Sequence, residues 1–185
     1  MKSPAKINKV LSVGKLFTIL LIGILLSGCI GSTNTKNVNT PKDWRIPDKE
    51  DDINDWARFK SPNKIINDFN GDGKPDIAQI LAKEYSSTGF SLIVQMGGDG
   101  KNPKQFVLEK NNDVRPQSTS IELLAPTNEI WESACEKGYW DCAADEIRQF
   151  KIDKPSIQFC FIESACNVYI WSDRNQNFTR IPLSD

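Results

Sequence analysis

The sequence predicts a mainly β, single-domain fold, an antiparallel sheet of about seven or eight short strands built from hairpins, with a short N-terminal helix. Three observations lead there. After Ile65 the apolar residues fall in short runs, with aromatic and β-branched side chains concentrated in them. Turn-forming residues separate those runs at short intervals. No strand–helix–strand rhythm is visible, which argues against a parallel sheet.

Residues 30–43 are polar, with almost nothing to bury, and read as a flexible tether covering 29–42 ahead of a folded domain at 43–185. Between Asp43 and Phe59, the acid-rich start Pro47-Asp48-Lys49-Glu50-Asp51-Asp52 precedes Ile53, Trp56 and Phe59 at helical spacing. Strands are expected at Ile77–Lys83, Ser91–Met96, Gln105–Glu109, Ser120–Leu124, Glu146–Lys151, Ser156–Ile162, Asn167–Trp171 and Phe178–Pro182. Gly97-Gly98-Asp99-Gly100-Lys101-Asn102 reads as a hairpin loop, since several of its residues tolerate positive φ. Asp173-Arg174-Asn175-Gln176-Asn177 plays the same part before the last strand. From Ala125 to Asp145, Trp131, Tyr139, Trp140 and two cysteines lie in what reads as an ordered, stapled loop.

The first residues carry a different signal. Lys2, Lys6, Lys9 and Lys15 form a basic region with no acid before residue 29, and Leu16 to Leu26 is an apolar run too short to span a bilayer comfortably. The run ends at Leu26-Ser27-Gly28-Cys29, which resembles the lipobox of bacterial lipoprotein signal peptides. The resemblance implies that residues 1–28 are a signal peptide and that Cys29 becomes the lipidated mature N-terminus. Such a lipid group exceeds the two-chain threshold for stable anchoring. Ile30 replaces the Asp that retains lipoproteins at the inner membrane of enteric bacteria. For a Gram-negative host, the resemblance therefore implies an outer-membrane anchor facing the periplasm.

Taking the four leader lysines from 23 basic residues leaves 19 against 24 acids, a net charge of −5. That balance argues against nucleic acid as a partner. The chain has no histidine. Ser-His-Asp and Cys-His catalysis, histidine-bearing zinc sites and histidine pH switches are therefore excluded.

With Cys29 set aside, Cys135, Cys142, Cys160 and Cys166 remain, an even number suited to two disulfides in an oxidising compartment. Were 157–171 one continuous strand, Cys160 and Cys166 would lie about 20 Å apart and would have to pair with Cys135 and Cys142. A hairpin turn at Glu163-Ser164-Ala165 instead places Cys160 opposite Cys166 and leaves Cys135 to pair with Cys142. The hairpin pattern is the one expected here. A soft-metal Cys₄ site is the alternative, disfavoured by the absence of a C-x-x-C spacing.

One motif carries cation chemistry. Asp68-Phe69-Asn70-Gly71-Asp72-Gly73-Lys74-Pro75-Asp76 places oxygen side chains at loop positions one, three, five and nine, with glycine at six. Asp68, Asn70, Asp72 and Asp76, with the backbone carbonyl of Lys74, would form an all-oxygen set for one structural Ca²⁺. Position twelve is Gln79 where an EF-hand needs a bidentate Glu, and Ile77-Ala78-Gln79-Ile80-Leu81 reads as a strand. The stretch from Ile66 to Leu81 resembles the calcium loop of FG-GAP or VCBS-type repeats, which implies acids that bind calcium and a loop that runs into a strand. One copy is too few for a propeller. The C-terminal segments Phe161–Ala165, Tyr169–Trp171 and Phe178–Ile181 resemble small bacterial lipoproteins carrying one such loop, a likeness that implies no particular activity.

Function is expected in the binding or accessory class: a membrane-anchored, non-enzymatic, calcium-stabilised envelope module. Trp131, Tyr139 and Trp140 are the candidate partner-binding residues, with an envelope protein as the candidate partner. One alternative is an inhibitor or immunity protein that inserts the acidic-aromatic Cys135–Cys142 loop into a basic toxin or cell-wall hydrolase. A weaker one is a glycosidase built on two of Glu132, Glu136, Asp141 and Asp145, whose carboxyls would have to face each other at roughly 5–9.5 Å.

Overall fold

Eleven strands and one 3₁₀ turn make up the regular structure of the computed structural model, which describes residues 38–48, 51, 56, 58, 61–98 and 102–184. The strands are β1 (Trp44–Arg45), β2 (Lys64–Asn67), β3 (Asp76–Lys83), β4 (Phe90–Gln95), β5 (Gln105–Asn111) and β6 (Thr119–Leu124). They continue with β7 (Ile130–Glu132), β8 (Gln149–Lys151), β9 (Ser156–Phe161), β10 (Cys166–Ser172) and β11 (Asn177–Pro182). All eight expected strands are present, and every pairing is antiparallel. Of the stretch 43–59, where a short helix is expected, residues 43–48 hold β1 and no helix, Trp56 and Arg58 are helical, and 49–50, 52–55, 57 and 59 lie outside the described residues.

One sheet runs β1-β3-β4-β5, with β2 beside β1 on the same edge of β3. A second runs β11-β10-β9-β6, and β7 and β8 form a separate ribbon. The two larger sheets face each other across one core. Ala78, Ile80, Phe90, Leu92 and Val94 of the first meet Ile121, Ile157, Phe159, Tyr169 and Trp171 of the second. Phe90 stacks on Phe159 with ring centroids 5.5 Å apart. Period-two alternation delivers this, because every second residue of a strand points to the same face.

Strand β3 departs from simple alternation, being buried on both faces. Its outward residues Ile77 and Leu81 pack with Ile93 against Val38 and Trp44. Val38 and Asn39, placed in the tether by composition, therefore lie against the sheet, while residues 40–42 are exposed. Val38 is buried, and Asn39 N–H donates to Gln95 Oε1 at 2.7 Å. The outer face of the second sheet is covered likewise, with Val168, Ile181 and Leu183 packing against Trp131 and Phe150 of the β7–β8 ribbon.

The two sheets are also joined by polar contacts. The Tyr169 hydroxyl donates to the Glu109 carboxylate, and Glu109 pairs with Arg180 Nε at 3.2 Å. On the opposite side, Trp56 Nε1 donates to the Thr119 carbonyl at 2.7 Å. Ser61 Oγ exchanges hydrogen bonds with Ile121, donating to its carbonyl at 3.1 Å and accepting from its N–H at 3.2 Å. The strand expected at Glu146–Lys151 begins only at Gln149. Glu146 belongs to a turn instead, its N–H donating to the Ala143 carbonyl and its carboxylate accepting from the Ala143 N–H.

Candidate functional site

The oxygen-rich loop is the connection of the β2–β3 hairpin, with Asn67 opposite Asp76 at its base. Asp68 sits at its centre. Its carboxylate accepts the N–H groups of Gly71 at 2.7 Å, Asp72 at 3.1 Å and Gly73 at 2.8 Å. Gly71 and Gly73 hold φ of 77° and 82°, the left-handed region that lets successive N–H groups turn inward. Asn70 and Asp72 are joined through Asn70 Nδ2 and Asp72 Oδ2 at 3.1 Å. The Asn70 amide and the Lys74 N–H hold the Asp72 carboxyl below the usual carboxylate range.

Asp76 differs from the rest, for it is fully buried. Its oxygens accept from Phe69 N–H at 2.9 Å and Gly97 N–H at 2.6 Å. Burial pushes its pKa up, the two N–H donors pull it down, and the Asp72 and Asp68 charges add to the rise. These residues fit a hard cation. The donors are all oxygen, and apart from Asp68 Oδ1, which already accepts two N–H groups, each carboxylate oxygen retains lone-pair capacity beyond its N–H bond.

Lys154 went unnoticed in the sequence. Its ammonium donates to the Asn70 carbonyl at 2.8 Å and to both Asp173 oxygens at 2.6 and 2.8 Å, tying the loop to the β10–β11 turn. Eighty-four residues separate Lys154 from Asn70, so no local pattern could have found it.

The second candidate region is the segment between β7 and β8. Both disulfides follow the hairpin pattern, Cys135–Cys142 and Cys160–Cys166. Cys160 and Cys166 are register partners across β9 and β10, with Glu163 at φ 64° in the turn between them. A Cys₄ metal site is thereby ruled out, since no free thiolate remains. Cys135, Cys142 and Glu146 do cluster, but two of the three are one disulfide.

Ser133 to Tyr139 forms a helical turn, with Lys137 N–H donating to Ser133, Gly138 to Cys135 and Tyr139 to Ala134. It is strapped to the end of β11 by Ala134 N–H on the Pro182 carbonyl at 2.8 Å and by Lys137 Nζ on the Leu183 carbonyl at 3.1 Å. Of the three aromatic candidates, Trp131 packs inward against Phe150, while Tyr139 and Trp140 are 52% and 38% exposed. Trp140 Nε1 donates to Glu146 at 3.0 Å, which fixes the indole. Glu132, Glu136, Asp141 and Asp145 are exposed, and Glu136 pairs with Arg148 at 3.6 Å.

Cys29 and residues 1–28, expected to be a signal peptide, lie outside the described residues. No helix among the described residues is long and apolar enough to cross a membrane. No protein-family model, curated protein or solved structure matches the chain.

Proposed function

We propose that this chain is a lipid-anchored, non-enzymatic binding module of the bacterial envelope, held at the membrane through Cys29. The observation that carries the binding reading is the stapled 133–148 segment. It presents Tyr139 and Trp140 to solvent on a braced backbone while most other aromatic rings lie in the cores. Side chains held in one rotamer lose little entropy on binding, and aromatic side chains dominate binding hot spots. The same observation favours the inhibitor or immunity reading as a special case, with the acidic-aromatic loop as the inserted element. Catalysis has less support, because the candidate carboxylates are scattered over exposed surface and one is committed to Arg148.

The β2–β3 loop serves this module as a structural calcium site, with Asp68, Asn70, Asp72, Asp76 and the Lys74 carbonyl as ligands. The support is the all-oxygen donor set and a backbone already wrapped around Asp68. Thermal unfolding with calcium or chelator tests it. Calcium at about 100 times its Kd should stabilise the protein by about 2.7 kcal/mol. At this size that raises the midpoint by roughly 5–10 °C. Asp72→Ala should lose the shift, and an unshifted wild type would end the calcium assignment. Metabolic labelling with a fatty-acid analogue, lost in Cys29→Ser, tests the anchor.

A further inference from the structure

We infer that the 133–148 segment docks a protein partner with a basic surface, and that a lysine or arginine of that partner seats in the cleft beside Trp140. This rests on the binding-module reading above and names the partner chemistry of the same surface.

The cleft, of about 510 Å³, is bounded by Glu136, Trp140, Asp141, Arg148 and the Cys135–Cys142 disulfide. Trp140 lines it, and further exposed apolar side chains lie nearby in the sequence. Ile130, Tyr139, Trp140 and Ile147 are four of the eight large hydrophobics exposed among the described residues, all within one short segment. Trp140 is already oriented by Glu146, and the backbone beneath it is held by the disulfide and by β11.

Charge decides between occupants. Six acids and two bases lie between residues 129 and 148. Both bases are engaged, Lys137 with the Leu183 carbonyl and Arg148 with Glu136. Asp141 and Asp145 form no ion pair among the described residues, so their charge is left facing solvent. Nucleic acids and anionic lipid surfaces are repelled by such a field, whereas a basic protein is drawn to it. An uncharged sugar could stack on Trp140 but would gain nothing from the unpaired acids. A guanidinium or ammonium gains from both, attracted by the face of an indole and by a neighbouring carboxylate. The other exposed apolar side chains of the segment add contact area for the partner.

The test is selection of a displayed random-peptide library against the full chain in detergent with both disulfides intact. Enriched peptides should be rich in arginine or lysine next to apolar residues. Their affinity should fall at least about tenfold between roughly 50 and 500 mM salt. Replacing the key arginine by citrulline, or introducing Trp140→Ala, should each cost about tenfold or more. Because Trp140→Ala could disturb the loop, the near-isosteric pair Asp141→Asn/Asp145→Asn is the second variant, expected to weaken binding several-fold without changing circular dichroism. Neutral or acidic winners, or winners indifferent to salt and to the Asn variants, would overturn the basic-partner inference and leave the binding module standing. If no selected peptide, nor a muropeptide offered in parallel, were weakened by Trp140→Ala in a folded protein, both readings would fall together.

Discussion

The backbone nitrogen of Gly97 lies 2.6 Å from Asp76 Oδ1, closing the oxygen-rich loop from a point 21 residues further along the chain. A Cβ at Gly97 would stand 2.5 Å from the Pro75 carbonyl oxygen and 3.0 Å from Lys74 Cβ. Real contacts are not that close, so the β4 end would have to move away from the loop. Gly97→Ala should therefore cost about 1–3 kcal/mol, the usual range for forcing atoms into a packed site. Denaturant unfolding measures it, and a cost near zero would show that the two backbones separate freely. The acids themselves were legible in the sequence, because alternate oxygen side chains with glycine at position six form a local pattern. Gly97 and Lys154 were not, since each reaches the loop through the fold. Within the stapled segment the exposure of Tyr139 and Trp140 was equally invisible, as composition does not say which aromatic of Trp131, Tyr139 and Trp140 turns inward.

At the scale of elements, strands β3 and β4 were the easiest to read, being near-continuous apolar runs bounded by turn residues. β1, β2 and β7 were missed. Each has four residues or fewer, and Lys64, Asn67 and Glu132 dilute the alternation below what a pattern can register. β1 and β2 form because the longer β3 gives them a ladder partner, whereas β7 pairs with the equally short β8 and is held by packing on the second sheet. The β9–β10 hairpin was read through its cysteines, and its disulfide makes a prediction. Closing a loop with a sequence separation of six restricts the unfolded chain by about 2 kcal/mol. Cys160→Ala/Cys166→Ala should lower the unfolding free energy by roughly that amount while leaving the antiparallel register in place. The corresponding Cys135/Cys142 pair braces a segment outside the main core. Its removal should chiefly increase proteolysis between Ser133 and Arg148 and leave the sandwich transition nearly unchanged.

Across the whole molecule, the sheets are coupled by an aromatic core and by the Tyr169–Glu109–Arg180 link from β10 to β5 and β11. Burial, with the Glu109 carboxylate as hydrogen-bond partner and neighbouring charge, pushes the Tyr169 phenol far above the ordinary tyrosine value of about 10. The sign follows directly. Below pH 10 the phenol is neutral in both folded and unfolded chains, and its contribution is intact. Above pH 10 the unfolded chain releases this proton and the folded one does not, so stability falls by up to about 1.4 kcal/mol per pH unit. Unfolding at pH 9 to 11.5, compared with Tyr169→Phe, isolates the effect. The wild type should lose stability more steeply than the variant, and parallel curves would mean that the phenol ionises in place.

The contacts of Trp56 and Ser61 with β6 bear on how copies of the molecule meet. β6 is the outer strand of its sheet, and its outward carbonyl and N–H groups would otherwise be a template for another chain's strand. The indole and the hydroxyl occupy those groups at Thr119 and Ile121. If the chain is held at a membrane through Cys29, as proposed, its copies meet far more often than they would free in solution. Two side chains thus deny the Thr119–Ile121 stretch of this edge to another copy's strand.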